Sequence, residues 1–115
     1  MSKELAERIR AGRRFTVEEG GVTYQCRRPT DFEAMSFQQD VDAVGIPAMC
    51  ARFVEGWSLT ERAITGEGGS DAPVPVTPEL VAEWLADHAK AALEISTRLV
   101  QEYHKRRVSL DSAGN

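Results

Sequence analysis

Apolar residues alternate with polar ones along two short arms near the start of the chain. The arms "FTVEE" and "VTYQC" flank two glycines at residues 20–21, so that Val17 faces Tyr24 and Phe15 faces Cys26. Alternation in register on both sides of a two-glycine turn predicts a β-hairpin. An isolated hairpin is barely stable in water. We therefore expect helices of the same chain to cover it, or a strand of a second copy to pair with its edge.

Beyond the hairpin, apolar residues recur every three or four positions, as one face of a helix requires. The pattern and its capping residues predict helices over residues 2–11, residues 31–43 after the capping box Thr30-x-x-Glu33, residues 46–57, and residues 78–106 after the cap Thr77. A break near Asp87 and His88 is the alternative to one continuous final helix.

These patterns predict a small α+β fold, mainly helical, in which three to four helices pack on an N-terminal hairpin. Residues 1–115 have the length of a single domain. Within it, residues 58–76 combine glycines with alternating proline and valine and predict a flexible internal loop. Deleting residues 62–71 is then expected to leave folding intact. The last residues, 108–115, are expected to form a frayed tail.

The net charge of −4 is unevenly distributed along the chain. Residues 30–94 carry twelve acidic and three basic side chains, a local charge of −9, whereas residues 1–29 carry +3 and residues 95–115 carry +2. The acidic middle would repel phosphate, so we expect no nucleic-acid partner. Charge pairing with a partner or a second copy, and simple solvation, are both compatible with the pattern. Arg27-Arg28 could clamp a phosphate, although strand-end arginines are ordinarily solvated.

Neither a signal peptide nor a membrane span is expected. The N-terminal residues carry charges but no apolar segment. No apolar run approaches the roughly 20 residues that cross a bilayer. We therefore expect an intracellular protein with no membrane partner.

Side chains that support catalysis are sparse. Cys26 and Cys50 are expected to form a reduced pair, with a disulfide as the alternative. His88 lies on the apolar stripe of the final helix and is expected in the core, whereas His104 is expected to be solvated. Neither histidine has a cysteine or carboxylate at metal-ligand spacing. We expect no catalytic residue, no metal and no cofactor, and hence no enzyme.

Aromatic residues flank the long loop and provide the candidate binding site. Met49, Phe53 and Trp57 fall on one face of the predicted helix 46–57, and Trp84 follows the loop. Together they predict an apolar partner-binding surface suited to a helix or a strand. Packing in the core is the alternative explanation for the tryptophans.

Several short motifs follow one another over residues 15–115. They are "FTVEEGGVTYQCRRPTDFE", then "FVEGW", a glycine-containing loop, "PVPVTPELVAEWL", a basic terminal helix and a Gly-Asn end. This order resembles the small tail assembly chaperones of tailed bacteriophages. Val76 stands where an aromatic residue is common in that family.

The resemblance implies a non-enzymatic role in the cytoplasm of the host cell. Such chaperones bind the tape measure protein, help to recruit tail-tube subunits and are absent from the mature virion. Many are also made in a longer, frameshifted form. A homo-oligomer would add avidity along a tape measure chain. One alternative function is a structural virion component, such as a neck, connector or tail-terminator subunit. Another is a regulatory or nucleic-acid-binding domain, for which only "HKRR" offers a basic helix.

Overall fold

A computed structural model describes residues 2–113, which form a small α+β fold. Its elements, in chain order, are α1 (Ser2–Ala11), β1 (Arg14–Glu19), β2 (Val22–Arg27), α2 (Asp31–Val44), α3 (Ile46–Ala51), β3 (Val54–Trp57), α4 (Glu61–Thr65), α5 (Pro78–Ala86) and α6 (Ala89–Ala113). The predicted fold class, mainly helical with an N-terminal hairpin, is confirmed.

Strands β1 and β2 form the predicted hairpin in the predicted register. Phe15 pairs with Cys26, and Val17 pairs with Tyr24. The glycines at residues 20–21 have φ angles of +59° and +80°, which favour glycine because it carries no Cβ atom. Their conformation closes the tight turn that the alternation required.

A third strand replaces the end of a predicted helix. The antiparallel sheet has the order β1-β2-β3, so β3 covers the free edge of β2. The prediction of one helix over residues 46–57 is therefore wrong after α3. Val54 is β-branched and Gly56 has a poor helix propensity, so both weaken a helix. The edge of β2 offers unpaired backbone groups instead, and the Arg27 amide donates to the Phe53 carbonyl at 2.9 Å.

The helix ends follow the predicted caps. Thr30 and Glu33 form the reciprocal capping box, with hydrogen bonds of 3.2 and 2.9 Å. Thr77 accepts from the Leu80 amide at 3.1 Å at the start of α5. The alternative in which the final helix breaks near Asp87 is confirmed, because α5 and α6 are separate helices.

Helix α6 is longer than predicted. Residues 108–113 belong to it, where we expected a frayed tail over residues 108–115, and residues 114–115 lie outside the described residues. The first glycine or proline after Arg106 is Gly114, so no residue in the intervening sequence interrupts the helix.

The long connection over residues 58–76 has structure of its own. It contains α4, and Thr60 caps that helix by accepting from the Ala63 amide at 3.1 Å. Thr60 also pairs with Pro73 in an isolated antiparallel bridge. The ends of this connection are thus held together, whereas we expected a loop without regular structure.

The core lies between one face of the sheet and helices α3, α5 and α6. Its buried members are Val17, Tyr24, Cys26, Met49, Cys50, Ala51, Phe53, Val54, Trp57, Leu59, Val81, Leu85, Ala91, Ala92, Ile95 and Leu99. Helix α1 contributes no buried side chain, and its apolar Leu5 and Ile9 are both exposed. The stability of the domain therefore depends on the sheet and the later helices.

Candidate functional site

Three of the four residues predicted to bind a partner lie in the core. Met49, Phe53 and Trp57 are only 1%, 2% and 4% exposed. The prediction that they form an exposed apolar surface is therefore wrong. The pairing of β3 with β2 brings Phe53 under α2, where its ring centroid lies 6.3 Å from that of Phe37.

The fourth predicted residue, Trp84, is half-buried and connects the core to the surface. Its ring packs edge-on against Trp57 at 6.3 Å between centroids. Its indole N–H donates to the hydroxyl of Tyr24 at 2.9 Å. Burial raises the pKa of Tyr24, so this phenol stays neutral at physiological pH. The structure thus brings the two tryptophans together, but as part of the packing.

His88 lies on the surface, so the prediction that it is a core residue is wrong. The break between α5 and α6 takes it off the buried stripe, and its imidazole stacks on Trp84 at 3.7 Å between centroids. His88 Nδ1 lies 2.7 Å from the Trp84 carbonyl oxygen. Both residues line a cleft of about 610 Å³ beside the hairpin turn. His104 is exposed, as expected.

The most strongly exposed apolar side chains of the described residues lie on α2. Phe32 is 84% exposed and Met35 is 80% exposed. We call these two residues the α2 outer face. They are three positions apart and share one side of the helix, whereas Phe37 and Val41 pack against the core from the other side. Helix α2 is therefore apolar on two sides.

An ion pair fixes which side of α2 faces outward. The Arg27 guanidinium donates two hydrogen bonds to the Glu33 carboxylate, at 2.7 and 2.9 Å. The same guanidinium lies 4.7 Å from the centroid of the Phe53 ring. The hydrogen bonds from Arg27 lower the pKa of Glu33 to about 2. Arg27 therefore joins α2 to the sheet and to the core.

The sequence contained a signal for the α2 outer face. At about 100° per residue, Phe32 and Met35 are separated by about 60° around the helix, but each lies about 140–160° from Phe37. This spread explains why the apolar stripe of α2 is broad and irregular. The spacing divides the residues into two groups, and only the tertiary contacts show which group is covered.

The two cysteines are free and buried. Burial raises the pKa of Cys26 and of Cys50 to about 12. Because the thiolate is the nucleophile and the metal ligand, burial makes both thiols poor nucleophiles and poor metal ligands in the folded protein.

Two further features of residues 2–113 bear on function. Their His, Cys, Asp and Glu side chains form no group of three or more that could hold a metal ion. None of their helices is both long enough and apolar enough to cross a membrane.

Comparisons of the chain with protein-family models, with curated proteins and with solved structures found no match.

Proposed function

We propose that this protein is a tail assembly chaperone of a tailed bacteriophage. In this role it binds the tape measure protein in the host cytoplasm, helps to recruit tail-tube subunits and catalyses no reaction. The observation that carries the proposal is the α2 outer face, where Phe32 and Met35 are almost fully exposed. The motif order over residues 15–115, which resembles that of this chaperone family, supports it independently.

The chemistry of the α2 outer face suits an amphipathic helix as partner. Burying a Phe or Met side chain contributes about 1.5–3 kcal/mol, so two such anchors provide a weak but useful contact. Anchors three residues apart match the spacing of an apolar helix stripe. Gln38 and Gln39 are exposed on the same helix and provide a polar border. A tape measure protein is a long helical chain, along which many copies would bind by multivalency.

The test is co-expression with the tape measure protein encoded by the same phage. We expect the wild-type chain to keep the tape measure protein in the soluble fraction and to co-purify with it. Phe32→Asp combined with Met35→Asp should abolish both effects, because two charges would have to be desolvated at the contact. Leu93→Asp is the matched control, since Leu93 is also an exposed apolar residue but lies on α6.

Two outcomes would contradict the proposal. In the first, the tape measure protein precipitates regardless, while this chain assembles into a stable ring, as a neck, connector or tail-terminator subunit would. In the second, the α2 double variant and Leu93→Asp lose binding equally, which would exclude the α2 outer face as the contact. Circular dichroism of each variant distinguishes lost binding from lost folding.

A further inference from the structure

A concave site lies where the end of α1 and the start of β1 meet the last turns of α6. It has a volume of about 380 Å³. Five cationic side chains and one carboxylate line it: Arg13, Arg14, Arg28, Lys105, Arg106 and Glu102. We call this site the arginine pocket. The sequence separates these residues by almost the full length of the chain, and the fold brings them together.

Two of the five cations have an acidic partner closer than 3.5 Å. Arg14 lies 3.4 Å from the carboxylate of Glu55. Lys105 lies 3.3 Å from Glu102, which also pairs with Arg98. The other three cations are arginines, and among the described residues only Arg106 has a carboxylate within 4 Å, that of Asp31.

The three remaining arginines are crowded and incompletely paired. Burial lowers the pKa of Arg28, and the charges of Arg106 and Arg13 lower it further. Within residues 2–113, Arg28 Nη1 donates only to the backbone carbonyl of Pro29, at 3.0 Å. Bringing like charges together in a partly desolvated site is unfavourable, and an anion between them would relieve that repulsion.

Arg106 contributes a donor without an acceptor. Its Nη1 atom is buried and makes no hydrogen bond to any described residue. The carboxylate oxygen of Asp31 lies 3.8 Å away, beyond hydrogen-bond distance, and already accepts from the hydroxyl of Tyr103 at 3.0 Å. A buried donor that lacks an acceptor is unfavourable, so an added oxyanion would bring a specific gain.

We propose that the arginine pocket binds a small oxyanion of the phosphate class. Guanidinium groups present paired N–H donors that match the oxygens of such an anion. The concave shape admits a compact group, and the charge of −9 over residues 30–94 disfavours a long polyanion lying across the surface. This site shares no residue with the α2 outer face, so either proposal can fail without the other.

The probe is inorganic phosphate, titrated into the full chain and followed by the backbone amide signals in NMR. Sodium acetate and sodium chloride at matched ionic strength are the reference titrations. We expect phosphate to shift the amide signals of Gly12, Arg28 and Ser109, which surround the arginine pocket. Acetate and chloride should produce less than a third of these shifts.

Arg106→Gln and Arg107→Gln form a matched pair of variants. Both remove one positive charge at neighbouring positions of α6, but only Arg106 lines the arginine pocket. We expect Arg106→Gln to weaken phosphate binding at least tenfold and Arg107→Gln to change it less than twofold. If Arg106→Gln does not fold, Arg13→Gln takes its place, because Arg13 makes no side-chain hydrogen bond to another described residue.

Three results would overturn the inference. Equal shifts with phosphate and acetate would show general anion screening. Equal losses of phosphate affinity in Arg106→Gln and Arg107→Gln would show that binding depends only on the net charge of the protein. A DNA duplex that binds more tightly than phosphate, with the same dependence on Arg106, would replace the small oxyanion with a nucleic acid as the ligand.

Discussion

Phe53 and Phe32 carry the same side chain in opposite environments. Phe53 is 2% exposed and packs near both the Phe37 ring and the Arg27 guanidinium, whereas Phe32 is 84% exposed. Both residues come from stretches where apolar side chains recur at helical spacing. Spacing therefore identifies residues on a shared side of an element. Whether that side is covered depends on segments distant in sequence.

Truncating the two phenylalanines should have very different effects on stability. Phe53→Ala should lower the free energy of unfolding by about 3–5 kcal/mol, because it leaves a cavity in the core. Phe32→Ala should change it by no more than about 0.5 kcal/mol, since the side chain is exposed. Urea unfolding followed by circular dichroism measures both values. A loss of more than about 2 kcal/mol in Phe32→Ala would show that the α2 outer face is covered in solution.

The features of the fold that the sequence predicted correctly are those set by neighbouring residues. The hairpin register follows from alternation around the two glycines at residues 20–21. The start of α2 follows from the capping box of Thr30 and Glu33. Each signal lies within a short segment, where local geometry outweighs the rest of the chain.

The third strand and the binding surface depended on distant partners. Val54–Trp57 becomes a strand because β2 offers it an unpaired edge, and no residue within that segment indicates this partner. The same pairing buries Phe53 and Trp57, so the error about the third strand led directly to the error about the surface. Of the predicted site, only Trp84 remains partly exposed.

The ion pair between Glu33 and Arg27 should make the stability of the fold depend on pH. The pKa of Glu33 in the folded protein is about 2, below its ordinary value of 4.5, because Arg27 donates to the ionised form. The folded state therefore gains stability above pH 4.5, and it loses that gain as the pH falls toward 2. At pH 7, Glu33→Gln should cost about 1–2 kcal/mol, a value reduced by the partial exposure of the pair.

The measurement is the free energy of urea unfolding of both proteins at several pH values. The wild-type protein should lose its greater free energy of unfolding, relative to Glu33→Gln, as the pH falls from 4.5 to 2. Glu83→Gln is the control, because Glu83 is exposed on α5 and makes no ion pair within residues 2–113. If the difference in the free energy of unfolding between wild type and Glu33→Gln stayed constant over this pH interval, the ion pair with Arg27 would not stabilise the fold.

The smallest effect is expected from shortening the connection that follows the buried Trp57. The Trp57 indole N–H donates to the Val74 carbonyl at 2.8 Å, and the Val74 amide donates to the Leu59 carbonyl at 2.8 Å. Together with the bridge between Thr60 and Pro73, these bonds join the two ends of the loop to each other. They involve none of the residues in its middle. Within the connection, the hydrogen bond to Trp57 therefore comes from an end and not from the middle.

Deleting residues 62–71 should therefore leave the fold intact, provided that Glu61→Asn and Ala72→Gly supply a tight turn between Thr60 and Pro73. We expect a loss of about 1 kcal/mol, because the half-buried Ile64 no longer covers the core. The shorter loop costs less entropy to close, which offsets part of that loss. Urea unfolding measures this loss, and Trp57 fluorescence reports whether the indole stays buried. Unfolding of the deletion variant, or exposure of Trp57, would show that α4 is needed to retain the tryptophan in the core. The loop would then be part of the folded unit, and its length could not be changed freely.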